Sequence, residues 1–589
     1  MVTTTIARPL IRRLTIERFR GIKNLVWYPK PGVNVILGGG DVGKTTILDA
    51  VALLLHPTNT ATLTDADYWR REVENGFCIE AVMSVPDGCG INQQTKNAWP
   101  WEWNGKDPIQ PKMDGDPAVK EASDAVYCLR VRGTADFDVV FEVLQPDAAA
   151  DHFSVSVRRS IGLVRLGGDD RNDRDLRLIQ GSALDRLLSD KTLRSRLGKL
   201  LASSDIEEQL HDDAKKKLRI LDKAFRESAL PDGLGLGLTG GQSFSLNALI
   251  GLTANKNGVD LPLSTWGAGT RKLAALEIAA AHHGESPITV VDEIERGLEP
   301  YRQRILMEQI QSGNSQVFLT THSAAALSAA RNASLWYVDA TGTIGRLPDR
   351  AESHERRDPE TFLARIAIVA EGATEVGFVT ALLKRAIGDD LLARGIWVTD
   401  GCGNVASLDL LEGLANSGLK FGGFADNEGT FPDRWAALKK KLDNLLFRWP
   451  SGCIEENLIK LVPPQDLETF IRDSKDEYTG DRLRTLAYRL GLADKDFSSI
   501  VAHSPDLTAL VIAAATGTVP DDKKDAEKSV KKVLQKHAEK WFKSAEGGTE
   551  LAAKVFDFNL WPQLKRQLLP FLNAVRAALS FSEITDLPS

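Results

Sequence analysis

The sequence predicts an α/β protein made of two consecutive strand–helix units and a mostly helical C-terminal region. A glycine-rich loop separates the apolar strand VNVIL from the helix-like stretch TTILDAVALLLH. Residues 268–345 alternate between strand and helix patterns, which is typical of a parallel sheet. A second strand–helix series runs from 364 to 463. These three observations place both units in the α/β class.

The composition indicates a multidomain protein of the cytoplasm. Its 589 residues are enough for several domains and a large buried core. No apolar run approaches the roughly eighteen residues that a membrane helix needs, so we expect no membrane partner. The five cysteines show no paired spacing, which disfavours a structural zinc site or a disulfide framework. With a net charge of −7, any DNA contact requires a local basic surface.

The first unit begins with strand patterns and then changes to a helical pattern. Residues 11–37 predict two short strands around a turn, IRRLTIERF and GVNVIL. Residues 77–165 are strand-like, and the polar stretch GCGINQQTKNAWPWEWNGKDP interrupts them as a predicted loop. Between 182 and 230, leucines recur at helical spacing. These leucines are Leu184, Leu187, Leu188, Leu197 and Leu200.

A charged, proline-containing stretch at 346–360, RLPDRAESHERRDPE, marks the main domain boundary. The sequence shows no internal repeat. The expected parts are an N-terminal lobe (1–181), a helical insert (182–235), a second lobe of the same unit (236–348), the second α/β domain (363–463) and a helical region that completes it (464–589).

The glycine-rich loop matches a phosphate-binding motif. The run GGGDVGKT fits GxxxxGK[ST] and lies between a strand and a helix. Glycines let the backbone amides turn around phosphates, and the helix N-terminus favours their charge. We expect Lys44 to reach the β- and γ-phosphates of ATP and Thr45 to bind Mg²⁺. The predicted ATP-binding residues of this loop are Gly38, Gly40, Gly43, Lys44, Thr45 and Thr46.

Two later strands end in side chains that suit ATP hydrolysis. The apolar run ITVV is followed by Asp292, expected beside the magnesium ion, and by Glu293, expected to orient the attacking water. The next strand pattern, FLTT, is followed by His322, a second predicted catalytic residue of the ATP site. A phosphate loop, an acidic pair and a histidine in this order, each after a strand, indicate an ATPase.

A short signature lies before the acidic strand. The run LSTWGAGTR opens a helix at residues 263–271. Here, and in the opening LTIERFRGIKN, the chain resembles ABC-type P-loop ATPases of the Rad50, RecF and SMC group. The resemblance implies that Ser264 and Gly267 bind the γ-phosphate of ATP held by an opposing subunit, which requires a homodimer or a higher even oligomer. It also implies a D-loop at residues 295–300.

The chain departs from that group in two places. Gly40 stands where many such loops carry Asn, and a loose GxG replaces the full LSGGQ signature. No long heptad array separates the two halves of the ATPase head, so we expect no coiled-coil arm. The helical insert at 182–235 is instead expected to form a compact dimerisation hairpin.

Acidic residues also follow the strands of the second series. The strand RIAIVA is followed by Glu371, and Glu375 lies one helical turn further along. The strand LKFGGFA is followed by Asp426 and Glu428. Because the carboxyl ends of parallel strands share one edge of a sheet, these acids can converge. Such oxygen ligands suit Mg²⁺ or Mn²⁺, and two of these ions can bind the attacking and leaving oxygens of a phosphodiester.

Glu-Gly-x-x-Glu followed by Asp-x-Asp/Glu resembles the Rossmann-like Toprim domain. Behind an ABC-type head, this order is similar to that of the OLD (overcoming lysogenisation defect) family of nucleases, which includes the nuclease subunit of Gabija-type phage-defence systems. The likeness covers nearly the whole chain. It implies that Glu371, Glu375, Asp426 and Glu428 bind the metal ions, although Glu428 departs from the Asp of the strict motif.

The same resemblance implies two further site residues and a partner. The run WPSGCIEEN matches an additional acidic metal ligand, assigned to Glu455 with Glu456 as the second choice. The family uses a C-terminal lysine to stabilise charge on phosphate, and FKSAEGGTELA assigns this catalytic role to Lys543, with Lys540 and Lys536 as neighbouring candidates. Relatives often work beside a UvrD-like helicase, which makes such a helicase an expected partner.

A row of lysines and a group of tryptophans are further candidates for DNA contact. The lysines recur every four residues and would form one basic stripe on a helix. A solvated face and a DNA-binding surface both explain this stripe, and the sequence leaves both open. Trp99, Trp101 and Trp103 could stack on bases, but packing within the loop is the favoured role. The lysines are Lys524, Lys528, Lys532, Lys536 and Lys540, flanked by Lys531 and Lys543.

The leading hypothesis is an ATP-regulated, metal-dependent DNA endonuclease of phage defence or DNA processing. The alternative is a non-cleaving ATPase clamp of the RecF or SMC kind. Four acids at strand ends disfavour that alternative, since buried carboxylates are costly without a cation. A topoisomerase would need a nucleophilic tyrosine, and Tyr478 and Tyr488, which follow the acids, lie in no recognisable motif. The sequence does not indicate whether ATP activates or restrains cleavage.

Overall fold

A computed structural model describes the chain as two compact units, Met1–Arg346 and Leu347–Ser589. The described residues are 8–59, 62–91, 99–110, 124–147, 149–166, 174–179, 182–188, 207–238, 250–281, 287–339, 341–348, 352–415, 418–473, 477–519 and 528–588.

The first unit combines antiparallel and parallel sheets with helices. Its strands are β1 (Leu10–Phe19), β2 (Ile22–Trp27), β3 (Val33–Gly38), β4 (Phe77–Ser84), β5 (Trp101–Trp103), β6 (Pro108–Ile109), β7 (Ala125–Gly133), β8 (Val139–Leu144), β9 (Ala150–His152), β10 (Leu163–Leu166), β11 (Gly235–Leu238), β12 (Ile250–Lys256), β13 (Val259–Pro262), β14 (Ile288–Val291), β15 (Val317–Thr320), β16 (Ala333–Val338) and β17 (Ile344–Arg346). Its α-helices are α1 (Lys44–Leu54), α2 (Val155–Ile161), α3 (Ala183–Leu188), α4 (Asp212–Glu227), α5 (Ala268–Ala280), α6 (Pro300–Ser312) and α7 (Ala324–Ser328).

An antiparallel sheet forms one layer of this unit. Its strand order is β2-β1-β4-β7-β5-β6, with β8 paired to β7 and β9 to β8. The strands alternate between apolar and polar residues, so the apolar side chains of one face pack into the core. Ile11, Leu14 and Ile16 of β1 are fully buried there, together with Ile79 and Ala81 of β4.

A parallel sheet forms the second layer and carries the ATPase motifs. Its order is β10-β14-β15-β3-β16, and β17 closes it as an antiparallel edge strand. The strands β14 and β15 are buried along their whole length, as expected for a sheet covered on both faces. The strand–helix alternation predicted for 268–345 is confirmed. Since β14, β15 and β3 are neighbours, the residues that follow them meet at one edge of the sheet.

Three details of the first unit differ from the predictions. Residues 11–37 form three strands, because the half-polar segment of β2 pairs antiparallel with β1. The predicted loop at 88–108 contains β5, which pairs with both β6 and β7. The helical pattern of 182–230 is confirmed in α3 and α4, while Leu197 and Leu200 lie outside the described residues.

The tryptophans of β5 pack within the protein. Trp101 Nε1 donates a hydrogen bond of 2.8 Å to the carbonyl oxygen of Leu144. Trp101 and Trp103 pack against a small cluster formed by Val82, Val126 and Cys128. The favoured packing role is therefore confirmed for these two side chains, whereas Trp99 is exposed.

The second unit contains a parallel sheet, as the second strand–helix series predicts. The sheet order is β19-β18-β20-β21, and all three pairings are parallel. Its strands are β18 (Ile366–Ala370), β19 (Ile396–Asp400), β20 (Phe421–Ala425) and β21 (Leu446–Arg448). Its α-helices are α8 (Glu352–Arg357), α9 (Glu360–Leu363), α10 (Ala373–Ile387), α11 (Asn404–Leu414), α12 (Pro432–Leu442), α13 (Ile454–Ile459), α14 (Leu467–Ile471), α15 (Thr479–Leu490), α16 (Phe497–His503), α17 (Leu507–Thr516), α18 (Lys528–Ala538), α19 (Ala545–Asp557) and α20 (Trp561–Ala578).

One core joins this sheet to the C-terminal helices. Phe424 of β20 stacks on Phe447 of β21 with ring centroids 4.7 Å apart, and both rings approach Phe571 of α20. Phe378 of α10 belongs to the same buried cluster. The helices after residue 464 therefore pack onto the same core as the sheet.

The predicted lysine stripe is not continuous in the structure. Helix α18 ends at Ala538, so Lys540 and Lys543 lie beyond it. Lys540 lies 3.6 Å from Asp481, whereas Lys543 points toward a different carboxylate. Lys524 lies outside the described residues. The expectation of one helical row is wrong for Lys540, because the helix ends two residues before it.

Within the described ranges, no single helix is both long and apolar enough to cross a membrane. The adjacent helices α16 and α17 reach the required length and composition only as a pair, and they are bent by 111° at the break between them.

Candidate functional site

The phosphate-binding loop connects β3 to α1 in a conformation that needs glycine. Gly38 has φ of 148°, and a Cβ there would lie 2.5 Å from the carbonyl oxygen of Val338. Gly43 has φ of 100° and precedes α1. A side chain is therefore strained at both positions. Gly40 lies exposed between them, and Thr46 lies half-buried in the first turn of α1.

Lys44 lies within the curve of this loop. Its Nζ donates hydrogen bonds to the carbonyl oxygens of Gly38, at 2.9 Å, and Gly39, at 2.5 Å. Burial lowers the pKa of Lys44, while the neighbouring acids, Asp292 foremost, act in the opposite direction. The ammonium group is thus held at the position where the motif predicts phosphate binding.

Asp292 joins the acidic strand to the phosphate loop. Its Oδ1 accepts hydrogen bonds from Thr320 Oγ1 at 2.7 Å and from Thr45 Oγ1 at 3.3 Å. Thr320 is the last residue of β15 and Thr45 lies in the first turn of α1. The structure therefore brings together the two residues that the sequence assigns to the magnesium of ATP.

Glu293 follows in an unusual backbone conformation. Its φ is 48°, which is uncommon for a residue other than glycine. Its backbone N–H donates to Thr320 Oγ1 at 2.8 Å, and its carbonyl oxygen accepts from Lys272 Nζ at 2.6 Å. Burial lowers the pKa of Lys272 to about 8. Sequence reasoning missed Lys272, because no motif links the second turn of α5 to the end of β14.

His322 follows β15 and is exposed. Its backbone N–H donates to Glu295 Oε1 at 2.8 Å, and the neighbouring Thr321 hydroxyl donates to Glu295 Oε2 at 2.7 Å. Glu295, which lies in the predicted D-loop, thus holds the backbone next to His322 in place. The side chain of His322 faces the outside of this single chain.

The signature segment packs directly on the predicted D-loop. Ser264 lies half-buried in a short 3₁₀ turn (Leu263–Thr265), and Gly267 is exposed immediately before α5. A Cβ at Gly269 would lie 2.3 Å from the carbonyl oxygen of Gly297. Glycine at 269 is therefore required for the contact between α5 and the turn that contains Gly297.

In the second unit, Glu371 follows β18 at the carboxyl edge of the sheet. It is 7% exposed. Its Oε2 accepts hydrogen bonds from the backbone N–H of Asp426 at 3.0 Å and from Asn404 Nδ2 at 3.3 Å. Burial raises the pKa of Glu371, although these hydrogen bonds act against the shift. Sequence reasoning missed Asn404, whose role depends on the loop between β19 and α11.

Glu375 and Asp426 are buried beside Glu371. Glu375 lies in the first turn of α10, and burial, followed by the charge of Glu455, raises its pKa to about 7. Asp426 follows β20, and burial, followed by the charges of Glu375, Glu455 and Glu371, raises its pKa to about 9. Carboxylates that are desolvated and close together cannot all ionise without a compensating positive charge.

Glu455 completes the group and is paired with Lys543. Glu455 is fully buried in the first turn of α13, and its Oε1 lies 2.7 Å from Lys543 Nζ. Burial works against the charged lysine, but Glu455 outweighs it and raises the pKa of Lys543. Glu456 instead pairs with Lys460 on the surface. Glu455 therefore lies in the buried group, and Glu456 lies outside it. Among the candidate lysines, Lys543 pairs with Glu455, whereas Lys540 lies beside Asp481.

Glu428 does not join the buried group. It is exposed in the turn after β20, and its charge contributes to the raised pKa of Glu371 from a distance. Two reciprocal backbone hydrogen bonds of 2.9 Å between Asn427 and Gly452 draw the chain toward α13 directly after Asp426. The structure therefore brings together Glu371, Glu375, Asp426, Glu455 and Lys543, and leaves Glu428 at the rim.

Glycines at a helix crossing bring Lys543 to the acids. A Cβ at Gly548 of α19 would lie 1.9 Å from the carbonyl oxygen of Thr374, and one at Gly377 of α10 would lie 1.9 Å from that of Ala545. Thr374 Oγ1 also donates to the carbonyl oxygen of Phe542 at 2.8 Å. The two helix backbones touch at this point. Lys543, which follows Phe542, therefore lies beside the helix that carries Glu375.

Comparisons with known proteins agree with the first unit. A family model described as "AAA domain, putative AbiEii toxin, Type IV TA system" matches residues 147–328. The DNA replication and repair protein RecF of Mesorhizobium japonicum is 23% identical over 58% of this chain and 99% of its own length. RecF of Listeria welshimeri is 32% identical over 15% of this chain and 25% of its own length.

A solved structure described as the recombination mediator protein RecF in the RecFOR pathway is 12% identical, with a TM-score of 0.36 over 58% of this chain and 99% of that one. From the family model and the RecF sequences, the chain contains an α/β P-loop ATPase head similar to that of RecF, and a helical C-terminal region follows.

Proposed function

We propose that this chain is an ATPase whose second unit cleaves DNA phosphodiester bonds with divalent metal ions. One observation carries the proposal. Four carboxylates, Glu371, Glu375, Asp426 and Glu455, are at most 7% exposed and lie together at the carboxyl edge of a parallel sheet. Such a group is unfavourable without a cation, because each buried charge raises the cost of ionising the others.

The donor set fits Mg²⁺ or Mn²⁺. Carboxylate oxygens are the ligands these ions prefer, and the raised pKa values of Glu375 and Asp426 mark a site that gains from positive charge. We assign the ions to the four buried acids, with Glu428 at the rim of the site. When bound, two such ions would stabilise charge on the attacking and leaving oxygens of the phosphodiester.

Other side chains of the second unit would orient the acids and the DNA. Asn404 holds Glu371 through a hydrogen bond of 3.3 Å. Lys543 balances Glu455 at 2.7 Å, and its side chain is 36% exposed, so its ammonium group is open to a phosphate. We assign Lys543 the stabilisation of charge that develops on the scissile phosphate.

In the first unit, we assign ATP and one magnesium ion to the phosphate loop and Asp292. Glu293 would orient the attacking water, and His322 would contact the γ-phosphate side of the site. We further propose that Ser264 and Gly267 bind ATP of a second copy, in a homodimer or a higher even oligomer. The exposure of Gly267 before α5 supports this arrangement.

DNA is the proposed substrate for two reasons. The similar RecF proteins are named for DNA replication and repair. The order of ATPase motifs followed by Glu-Gly-x-x-Glu also resembles the OLD family, with its Toprim nuclease domain. Within this proposal the chain works in phage defence or DNA processing, in the cytoplasm, and a UvrD-like helicase is a further partner.

A non-cleaving ATPase clamp on DNA is the second candidate. It is favoured by the family match, which ends at residue 328, before the second unit, and by the RecF relatives. In this case the buried acids would serve only the structure of the second unit. The clamp requires no chemistry from Glu371 or Lys543.

A plasmid assay distinguishes these functions. Purified protein is incubated with supercoiled plasmid and Mg²⁺ or Mn²⁺, with EDTA as the metal-free arm. We expect nicked or linear DNA with the wild type, and at least about a 100-fold slower reaction with Glu371→Ala. Glu456→Ala is the matched control, since this neighbouring acid pairs with Lys460 outside the buried group. Plasmid that stays intact under every condition contradicts the nuclease and supports the clamp, and relaxed closed circles indicate a topoisomerase.

The ATP site is tested separately with Lys44→Ala. We expect this variant to lose ATP hydrolysis and to change the ATP dependence of cleavage while it keeps the metal-dependent chemistry, because the two sites use different residues. Loss of ATP-independent nicking in Lys44→Ala would contradict this separation.

A further inference from the structure

Cys453 lies among the acids of the second unit and has no role in the function proposed above. It is the residue immediately before α13, and its side chain is partly buried. Its Sγ, one carboxylate oxygen of Asp426 and one of Glu455 all lie within 4.8 Å of one another. Ligands of one tetrahedral ion, at about 2.0–2.3 Å from it, lie about 3.3–3.8 Å apart, so side-chain rotations that close the group by about 1 Å bring all three to one ion.

The backbone fixes the position of this cysteine. The backbone N–H and C=O groups of Asn427 and Gly452 exchange two hydrogen bonds of 2.9 Å each. The N–H of Ile454, on the other side of Cys453, donates to Asp426 Oδ1 at 3.0 Å. Cys453 is thus held on both sides against the residue that follows β20, and its thiol is presented to the acids by the local fold.

Glu455 is the buried acid that connects Cys453 to the rest of the group. It is 0% exposed, so its charge is fully removed from solvent. Lys543 forms an ion pair with Oε1. The Cys453 thiol also hydrogen-bonds this carboxylate, so the sulfur and Glu455 already face each other. A metal ion bound between Glu455 and Cys453 would take the place of the thiol proton in this contact.

We propose that Cys453 is a thiolate ligand of one of the two metal positions, together with Asp426 and Glu455. The inference rests on the metal site of the proposed function and adds a ligand to it. The thiol proton is released to solvent when the metal–sulfur bond forms. A mixed sulfur and oxygen donor set favours softer divalent ions, so this position binds Zn²⁺ or Co²⁺ in preference to Mg²⁺.

Cobalt binding tests the sulfur ligand without any measurement of cleavage. Co²⁺ bound by a thiolate gives an intense near-ultraviolet charge-transfer band, whereas oxygen ligands alone do not. The full-length wild type is titrated with Co²⁺ beside Cys453→Ser and the matched control Cys78→Ser, a partly buried cysteine of the first unit. We expect the band in the wild type and in Cys78→Ser and its loss in Cys453→Ser. We also expect Cys453→Ser to bind Co²⁺ at least about 10-fold more weakly, with Mg²⁺ affinity nearly unchanged.

A measurement on the wild type alone guards against a variant that fails to fold. X-ray absorption of the zinc-loaded protein should reveal a sulfur neighbour at about 2.3 Å, beyond the oxygen neighbours at about 2.0–2.2 Å. Oxygen neighbours alone, or Co²⁺ bound without the band, would overturn the role of Cys453 and leave the nuclease intact. Failure of the wild type to bind Co²⁺ or Zn²⁺ in this unit would also overturn it. Whether the protein cleaves DNA is tested separately, by the plasmid assay with Mg²⁺.

Discussion

At the scale of single residues, the buried acids make the stability of the second unit depend on pH and metal. The pKa of Glu375 is raised from 4.5 to about 7, and that of Asp426 from 3.8 to about 9. The folded state therefore holds protons that the unfolded state has released. Stability without metal falls as pH rises from about 4 to about 9 and is level above that range, because the folded and unfolded states then carry the same charge on these groups.

The first prediction follows from this sign. In EDTA, the melting temperature of the second-unit transition should decrease between about pH 5 and pH 9. This is roughly the range between the unfolded-state and folded-state pKa values of these two acids. Mn²⁺ should reverse the trend, since ionised carboxylates bind metal better and affinity then rises with pH. Calorimetry at several pH values, with and without Mn²⁺, measures both effects. Glu375→Gln should flatten the part of the slope near neutral pH, and an unchanged slope would contradict the assignment.

The second prediction concerns Lys543. Lys543→Met should leave Glu455 buried without its partner and destabilise the metal-free protein by about 1–3 kcal/mol, a value reduced for the partial exposure of the lysine. Mn²⁺ should restore part of the loss, because the ion supplies the missing positive charge. Lys540→Met is the control, since Lys540 lies 3.6 Å from an acid that is partly exposed. Equal effects of the two substitutions in urea unfolding would argue against a special role for Lys543.

Residues next to strand ends were predictable, and residues brought in from elsewhere were not. Glu371 and Asp426 directly follow apolar strands, so their shared edge follows from parallel pairing alone. The direction of Glu428 depends on the backbone bridge between Asn427 and Gly452, which has no signal in the sequence. Lys272 was missed for the same reason, because no motif links it to the carbonyl oxygens of Asp292 and Glu293 to which it donates.

At the scale of elements, the crossing of α10 and α19 holds the second site together. The two helices meet where glycines remove the side chains between their backbones, and a larger residue has no space to occupy. Helix α19 begins after Ser544, whose hydroxyl accepts a hydrogen bond from the N–H of Gly547 at 3.0 Å. The crossing and this cap together fix where Lys543 lies.

The third prediction follows from that contact. Gly548→Ala places a Cβ 1.9 Å from the carbonyl oxygen of Thr374, so the helices must move apart. We expect a loss of about 2–3 kcal/mol in urea unfolding and a marked loss of metal affinity. Gly480→Ala is the control, because this glycine of α15 has no atom within 4 Å of its added Cβ and alanine favours a helix by about 1 kcal/mol. Wild-type stability in Gly548→Ala would contradict the importance of the crossing.

The element patterns predicted long, strongly patterned segments better than short ones. Continuous apolar runs were enough to predict β3, β14, β18 and β20 as strands, since buried parallel strands are apolar on both faces. β2 was missed because its exposed and buried residues do not alternate regularly. β5 is three residues long and lies inside a polar stretch, where pairing to β7 decides its conformation.

At the scale of the whole molecule, the proposed ATP site of one chain contains the phosphate loop, Asp292 and Glu293, while Gly267 lies exposed before α5. An arrangement in which a second chain covers the γ-phosphate makes the oligomer depend on bound ATP. The free energy of association between the two chains then strengthens ATP binding, because ATP bound across both chains stabilises the associated state over the separate chains.

The fourth prediction tests this dependence. Glu293→Gln removes the carboxylate expected to orient water and should slow ATP hydrolysis by at least about 100-fold. ATP then stays bound, and light scattering should detect a stable dimer or higher even oligomer with ATP and Mg²⁺. Adding Ser264→Arg, which introduces a bulky side chain into the signature segment, should abolish the association while ATP still binds. A Glu293→Gln protein that remains a monomer at saturating ATP would contradict the shared site.

The glycine crossing also sets an order of assembly. During synthesis the ribosome delivers Glu371, Glu375, Asp426 and Glu455 first, and Lys543 with the glycines of α19 only later. The positive charge that pairs with Glu455 is therefore the last part of the cluster to arrive, and it takes its place only when α19 docks on α10. A chain still in translation would carry the acids without the lysine, so any chemistry that needs Lys543 begins after the C-terminal helices have folded.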